Sequence, residues 1–217
     1  MFAAVAVSLA LQAPPTQSTD TVARRVLADR DDFQAVRVTF APGAAVTPGP
    51  QPYDVVLVPI EAGLSVEVDG KPVAWRPGVA ILIPRGAPHR ASNPLRTPVT
   101  FISVRRLADA DVKPPPSPQS TAVTIVRSQD SKYVRATTLR LERDGELRGP
   151  GDRAMGPSVF VLTGDADLLM TTASTVREPG RKTAGTVWLF QPGAAFALKN
   201  TGGTPIEIVR ISAPPSP

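Results

Sequence analysis

The sequence has no cysteine and a single histidine in 217 residues. The first absence excludes disulfide bonds, thiolate metal sites and lipidation through a cysteine. The second leaves one imidazole for any chemistry that needs several. Aromatic residues are scarce too: the eleven Phe, Trp and Tyr lie mostly in apolar, strand-like runs. The net charge of +5 comes from arginines scattered along the chain. A nucleic-acid surface needs a basic stripe interleaved with aromatics, so that class is excluded and only a mild attraction to acidic surfaces remains. No stretch has the apolar period of a long amphipathic helix, and no apolar run reaches the ~20 residues that span a bilayer. With 42% hydrophobic and 20% charged residues, the chain reads as one or two compact domains rather than a disordered segment. Two units of about 90 residues each bury an adequate core.

What is present starts with an apolar run, Phe2 to Ala13, closed by Pro14-Pro15. It has the length of the hydrophobic region of a signal peptide, with cleavage near Ala10 or Ala13, although a basic region ahead of it is missing. Residues 1–19 are therefore expected to be a leader or a tail, and the protein to be periplasmic or secreted.

From Asp20 to Leu107 short strands alternate with turns. Val36, Val38 and Phe40 alternate with Arg37 and Thr39 before Pro42-Gly43, and Leu64, Val66 and Val68 alternate with Ser65 and Glu67 before Asp69-Gly70, the strongest hairpin signal in the chain. The stretch Asp20 to Arg30 permits a helical turn. Residues 108–121, with Pro114, Pro115 and Pro116 in a row, read as an extended linker that cannot join a sheet interior. A second unit follows at 122–213, with a tail at 214–217.

The most informative stretch is Gly78 to Asn93. Val79 to Ile83 form a buried strand bounded by Pro77-Gly78 and Pro84-Arg85-Gly86, and Pro88 then fixes the backbone just ahead of His89. The order Gly78, Pro84, Gly86, His89, Asn93 resembles the second signature motif of the cupins, small double-stranded β-helix barrels of the jelly-roll kind. The second unit repeats it: Gly185, Gly193, Asn200 and Pro205 each stand 107 positions after Gly78, Gly86, Asn93 and Pro98, with Gln191 at the place of Pro84 and Phe196 at that of His89. The resemblance therefore implies an all-β chain of two tandem cupin barrels, 20–107 and 122–213, packed face to face as a monomer with intramolecular pairing or as a homodimer.

Cupins of this kind commonly hold a metal through three imidazoles and a carboxylate. The turn glycines of their first motif are kept here at Gly43 and Gly63, and at Gly145 and Gly164. The ligand positions, however, fall on Gly49, Gln51 and Val56 in the first unit and on Gly151, Arg153 and Pro157 in the second. That set does not replace the water shell of a divalent ion, so no metal and no other cofactor is expected. The expected function is a small-molecule binding or structural module without redox or hydrolytic chemistry. Gln51, His89 and Arg153 are its candidate contacts to a sugar or carboxylate, with no nucleic acid and no membrane span. The alternative is a metal-independent sugar isomerase or epimerase in which His89 works with Asp54 or Tyr53 as acid and base, an arrangement similar to that of metal-free cupin epimerases. The six extra residues between Gly164 and Gly185 place a basic, proline-containing loop (Arg177 to Lys182) at a barrel rim. N-terminal sequencing of protein expressed with its leader should find a start just after Ala10 or Ala13; an intact Met1 sinks the export expectation.

Overall fold

A computed structural model describes residues 22–107, 119–150, 156–172 and 178–213. The expected leader, most of the expected linker, Gly151, Arg153 and the tail lie outside the described residues. The first half holds β1 (Val22–Asp29), β2 (Phe33–Phe40), β3 (Ala45–Val46), β4 (Val55–Pro59), β5 (Ser65–Val68), β6 (Lys71–Val73), β7 (Ile81–Ile83), β8 (His89–Ser92) and β9 (Val99–Arg106). The second holds β10 (Gln119–Asp130), β11 (Arg135–Pro150), β12 (Ser158–Leu162), β13 (Ala166–Thr172), β14 (Glu178–Lys182), β15 (Val187–Phe190), β16 (Ala195–Asn200) and β17 (Ile206–Ser212). The described chain is all-β and has the curled sheets of a jelly roll, as the sequence implies.

In the first half a five-stranded sheet, β1-β2-β9-β4-β7, faces a four-stranded sheet, β3-β8-β5-β6. Strand alternation explains what lies between them: Val36, Val38 and Phe40 of β2, Val55 and Leu57 of β4, Val66 of β5, Ile81 and Ile83 of β7 and Phe101 of β9 point into one core. Asp69 (φ 51°) and Gly70 (φ 71°) turn β5 into β6 with Val68 opposite Lys71, the two-residue hairpin expected there.

The second half repeats the neighbour order. Its path is β14-β13-β16-β11-β17-β12-β15, with β10 beside β11. It corresponds to β6-β5-β8, then β3 and β2, then β9-β4-β7 of the first half, β10 taking the place of β1. The long strand β11 does the work of both β2 and β3. Its residues 135–141 pair with β17, and its residues 146–150 pair with β16. The corner between them falls at Asp144 (φ 59°) and at Gly145, where a Cβ would meet the Ala122 carbonyl oxygen at 2.6 Å. A separate turn at Gly43 (φ 73°) makes the same corner in the first half.

The repeat extends to single hydrogen bonds. Asn93 Nδ2 donates to the carbonyls of Phe40, Ala41 and Thr97, while its Oδ1 accepts the Leu95 amide. Asn200 Nδ2 donates to the carbonyls of Leu141, Glu142 and Thr204, and its Oδ1 accepts the Gly202 amide. Both are buried, so each motif asparagine satisfies the backbone of a corner that water cannot reach.

Three local expectations are corrected. Residues 119–121 belong to β10, paired with 146–148, and not to the linker, because the ladder starts directly after the last proline. In the stretch expected to permit a helical turn, Val22–Asp29 form strand β1, held extended by β2. The expected basic loop is in part strand: 178–182 pair with 166–170 to form β14, so the extra residues lengthen a hairpin.

The halves meet through the outward faces of their larger sheets. Phe33, Ala35, Val56, Val58, Ala80, Ile102 and Val104 of the first half pack with Val134, Ala136, Val159, Val161, Val209 and Ile211 of the second. These are largely the same strand positions in both halves. Strands β4 and β12 are therefore buried at every position and read as near-continuous apolar runs, with Ser158 the polar residue that opens β12. The polar contacts are reciprocal as well: Thr138 Oγ1 donates to the Gly78 carbonyl at 3.0 Å, and Arg37 Nη2 donates to the Gly185 carbonyl at 3.3 Å. Both glycines have φ 79°, and a Cβ would run into Glu207 at the first and into Arg37 at the second. Gln129 on β10 clamps the free edge of β7, donating to the Ala80 carbonyl (2.8 Å) and accepting the Leu82 amide (3.2 Å). Buried Asp54 accepts the Arg85 amide (2.7 Å) and the Ser131 hydroxyl of the second half (2.5 Å).

Asn93→Ala and Asn200→Ala should each cost about 2–4 kcal/mol in urea unfolding, since each leaves buried carbonyls without donors. Similar losses at the two sites would show that the corners are equivalent; a neutral variant would refute the account for its half. Asp54→Ala should cost about 2–3 kcal/mol by stranding the Arg85 amide and the Ser131 hydroxyl, and an unchanged urea midpoint would contradict that bridging role.

Candidate functional site

At one end of the first half a cavity of about 90 Å³ opens between the two sheets. Its apolar wall is Val38, Phe40, Val46, Val55, Leu57, Ala91 and Phe101, and its polar groups are Arg24, Gln51, His89, Ser103 and Arg105. Four of these polar groups are placed by strand register, and Gln51 comes from the loop between β3 and β4. Ser103 and Arg105 continue the inward-facing series Val99, Phe101 of β9. Arg24 stands opposite Val38 on β1, and His89 stands opposite Val68 at the start of β8.

Arg105 Nη1 reaches Gln34 Oε1 at 3.4 Å, and its guanidinium lies 5.4 Å from the centre of the Tyr53 ring. Gln51 is folded back, its Nε2 donating to the Gly49 carbonyl at 2.8 Å, while its own carbonyl receives the Gly86 amide at 2.9 Å. That amide bond ties the first-motif stretch to the turn ahead of His89. His89 Nδ1 lies 3.4 Å from the Ala87 carbonyl oxygen.

Of the residues expected at the site, Gln51 and His89 line the cavity together. Arg153 is outside the described residues. Tyr53 packs at the edge of the core beneath Arg105. Asp54 is turned away, one residue out of phase with Val55, and its carboxylate is used by Arg85 and Ser131 on the interface side. The acid–base pair of His89 with Asp54 is therefore not assembled, and the polar neighbour of the imidazole is a carbonyl.

The same one-residue phase corrects the ligand register expected from spacing. Val56 faces the interface and Val55 lines the cavity; in the second half the inward residue is Ser158, where spacing pointed to Pro157. Because side chains alternate, a shift of one position changes the face.

A divalent metal of the kind the resemblance implies does not fit this donor set. The cavity offers one imidazole and one amide beside two guanidinium groups, which repel a cation. Among the described residues no three of His, Cys, Asp or Glu come together. With no carboxylate in its lining, the arrangement suits an anion: the arginines offer charge-assisted donors, Ser103 and Gln51 add neutral ones, and the apolar wall takes a short carbon skeleton.

In the second half three rings pack into the part of that space around Phe196. Phe196 stands where His89 does, stacked on Phe190 with ring centres 3.9 Å apart and edge-on to Phe160 at 5.3 Å. The first half has Ile83 and Leu57 where the second has Phe190 and Phe160. The smaller side chains leave room that three rings occupy in the other half. Sequence reasoning missed Arg24, Ser103 and Arg105. The signal was the alternation of β9, which carries polar residues onto an otherwise apolar inward face.

Residues 36–105, from β2 to β9, match the family described as Cupin domain. No curated protein matches the chain. Among solved structures, salicylate 1,2-dioxygenase from Pseudoaminobacter salicylatoxidans in its adduct with gentisate is similar, with a TM-score of 0.64 and 12% identity over 84% of this chain and 68% of that one. Another structure of that dioxygenase has a TM-score of 0.66 and 13% identity, covering 87% of this chain and 76% of that one. AerE from Microcystis aeruginosa has a TM-score of 0.64 and 12% identity, covering 93% of this chain and 96% of that one. At these identities the likeness is one of fold, and the cupin-domain match covers residues 36–105.

Proposed function

We propose that the chain is a two-barrel cupin whose first barrel binds a small organic acid without a metal ion and without redox or hydrolytic chemistry. The observation that carries this reading is the cavity in which Arg24, Arg105 and His89 converge with no acidic residue in the lining. An anion satisfies that constellation; a neutral sugar leaves the guanidinium charges uncompensated. The volume of about 90 Å³ favours an acid of a few carbons, well below the ~300–1,000 Å³ of sites for drug-sized ligands.

Support for two barrels comes from the repeated strand order, the paired asparagines and the reciprocal contacts of Gly78 and Gly185. An interface built from equivalent positions has the form of a twofold dimer contact, here within one chain. A monomer is the simplest assembly of this kind. The donor set supports a metal-free first barrel, and the apolar run from Phe2 to Ala13 supports a periplasmic or secreted location.

Calorimetric titration of the purified protein with acetate, pyruvate and succinate should show binding by at least one. Arg105→Met should weaken it at least ~10-fold, the effect of losing one charge-assisted hydrogen bond. Affinity unchanged in Arg105→Met, or stoichiometric zinc, iron, manganese or nickel found by elemental analysis after dialysis, would overturn the proposal.

A further inference from the structure

The second half contains a half-buried cation whose guanidinium nitrogens are partly sealed from solvent, with no counterion among the described residues. Arg210 follows Ile206 and Ile208 on the inward face of β17, at the position that Ser103 occupies in the first half. Its Nε and Nη2 are buried and meet no hydrogen-bond acceptor among those residues. Burial pushes the guanidinium down to about 10, with neighbouring Arg135 adding repulsion, so it is still charged at neutral pH. The described contact that offsets this is the face of Phe160, 6.0 Å from the guanidinium carbon, a weak cation–π approach. The carboxylate nearest along the strand, Glu207, lies on the other face of β17, against Gly78.

The unpaired atoms form the side-on fork of the guanidinium. Elsewhere in this chain the same edge binds carboxylates: Arg90 holds Glu67 through Nε and Nη2 at 2.8 and 2.6 Å, and Arg135 holds Asp130 through the same two atoms at 2.7 and 2.5 Å. A further orphan donor lies beside it. Ser158, 0% exposed, has an unpaired Oγ. It stands opposite Ser212 on β17, while Arg210 stands opposite Phe160 on β12. Ser158 and Arg210 are thus diagonal neighbours on one face, roughly 7–8 Å apart at the backbone, a span that a long side chain and a bound carboxylate fill.

We propose that Arg210 and Ser158 form a second carboxylate site in the second half, distinct from the cavity lined by Arg24 and Arg105. Arg210 grips both oxygens through Nε and Nη2, and Ser158 donates its hydroxyl to one of them. The carboxylate supplies the charge that the fold itself does not, and this site does not depend on ligand binding in the first half.

The test is thermal unfolding of the full chain in sodium acetate against sodium chloride at equal ionic strength, for wild type, Arg105→Met, Arg210→Met and Ser158→Ala. At acetate near tenfold the Kd of this site, Arg105→Met should gain about 3 °C over chloride and wild type at least as much. Arg210→Met in the Arg105→Met background should lose the gain that Arg105→Met alone retains, and in chloride Arg210→Met should melt no lower than wild type, since an unpaired charge has been removed. Ser158→Ala in the Arg105→Met background should reduce the gain, and it decides the question if Arg210→Met does not fold. An acetate response lost in Arg105→Met and kept in Arg210→Met overturns this site and leaves the first-half reading standing. No acetate response in any variant overturns this site, while the first-half reading still stands or falls on pyruvate and succinate.

Discussion

The structure depends on the burial of one sheet face from each half against the other. Strands β4, β9, β12 and β17 carry apolar residues at successive positions, one set for the core of their own half and one for the interface. A half with its outward face in water would expose Val56, Val58, Ile102 and Val104 together, a patch of the kind that soluble monomers avoid. Reciprocal bonds at Gly78 and Gly185 tie the two faces together, in a left-handed turn that glycine takes without strain and where a Cβ would meet the side-chain ends of Glu207 and Arg37.

That constraint leaves the inward faces free to differ. Both halves keep the glycine turns and the corner asparagine, because these serve the backbone. At three equivalent inward positions one half has Leu57, Ile83 and His89, and the other has Phe160, Phe190 and Phe196. The aromatic set packs the second core with offset and edge-on ring contacts, while the smaller set leaves a cavity. The outward pairing tolerates this divergence because alternation points these side chains away from it.

The polar groups that line the two interiors are mostly donors, half-buried at Arg105 and Arg210 and exposed at Arg24. Arg24, Arg105, Ser103 and Gln51 face the first cavity, and Arg210 and Ser158 face the second interior. Buried cations are costly unless a counter-charge is near, and the acidic residue closest to the first cavity in sequence, Asp54, is committed to the interface. An interior rich in cations and poor in carboxylates is suited to organic acids and poorly suited to metal ions.

Much of this fold was legible in the sequence because it rests on local rules. Glycines with positive φ at Gly78, Gly86, Gly185 and Gly193, the Asp69-Gly70 turn and the recurrence of one motif are set by backbone sterics that a few neighbouring residues encode. The single histidine and the missing cysteines likewise limit the available chemistry through composition alone. Which face each side chain takes was decided only by tertiary structure. A strand's phase depends on its partners: Val55 faces the cavity where spacing pointed to Val56, Asp54 binds Ser131 across the interface, and Arg105 and Arg210 turn inward. Sequence spacing determined the turns and therefore the fold, but the pairing of strands far apart in the chain determined which charges share an interior.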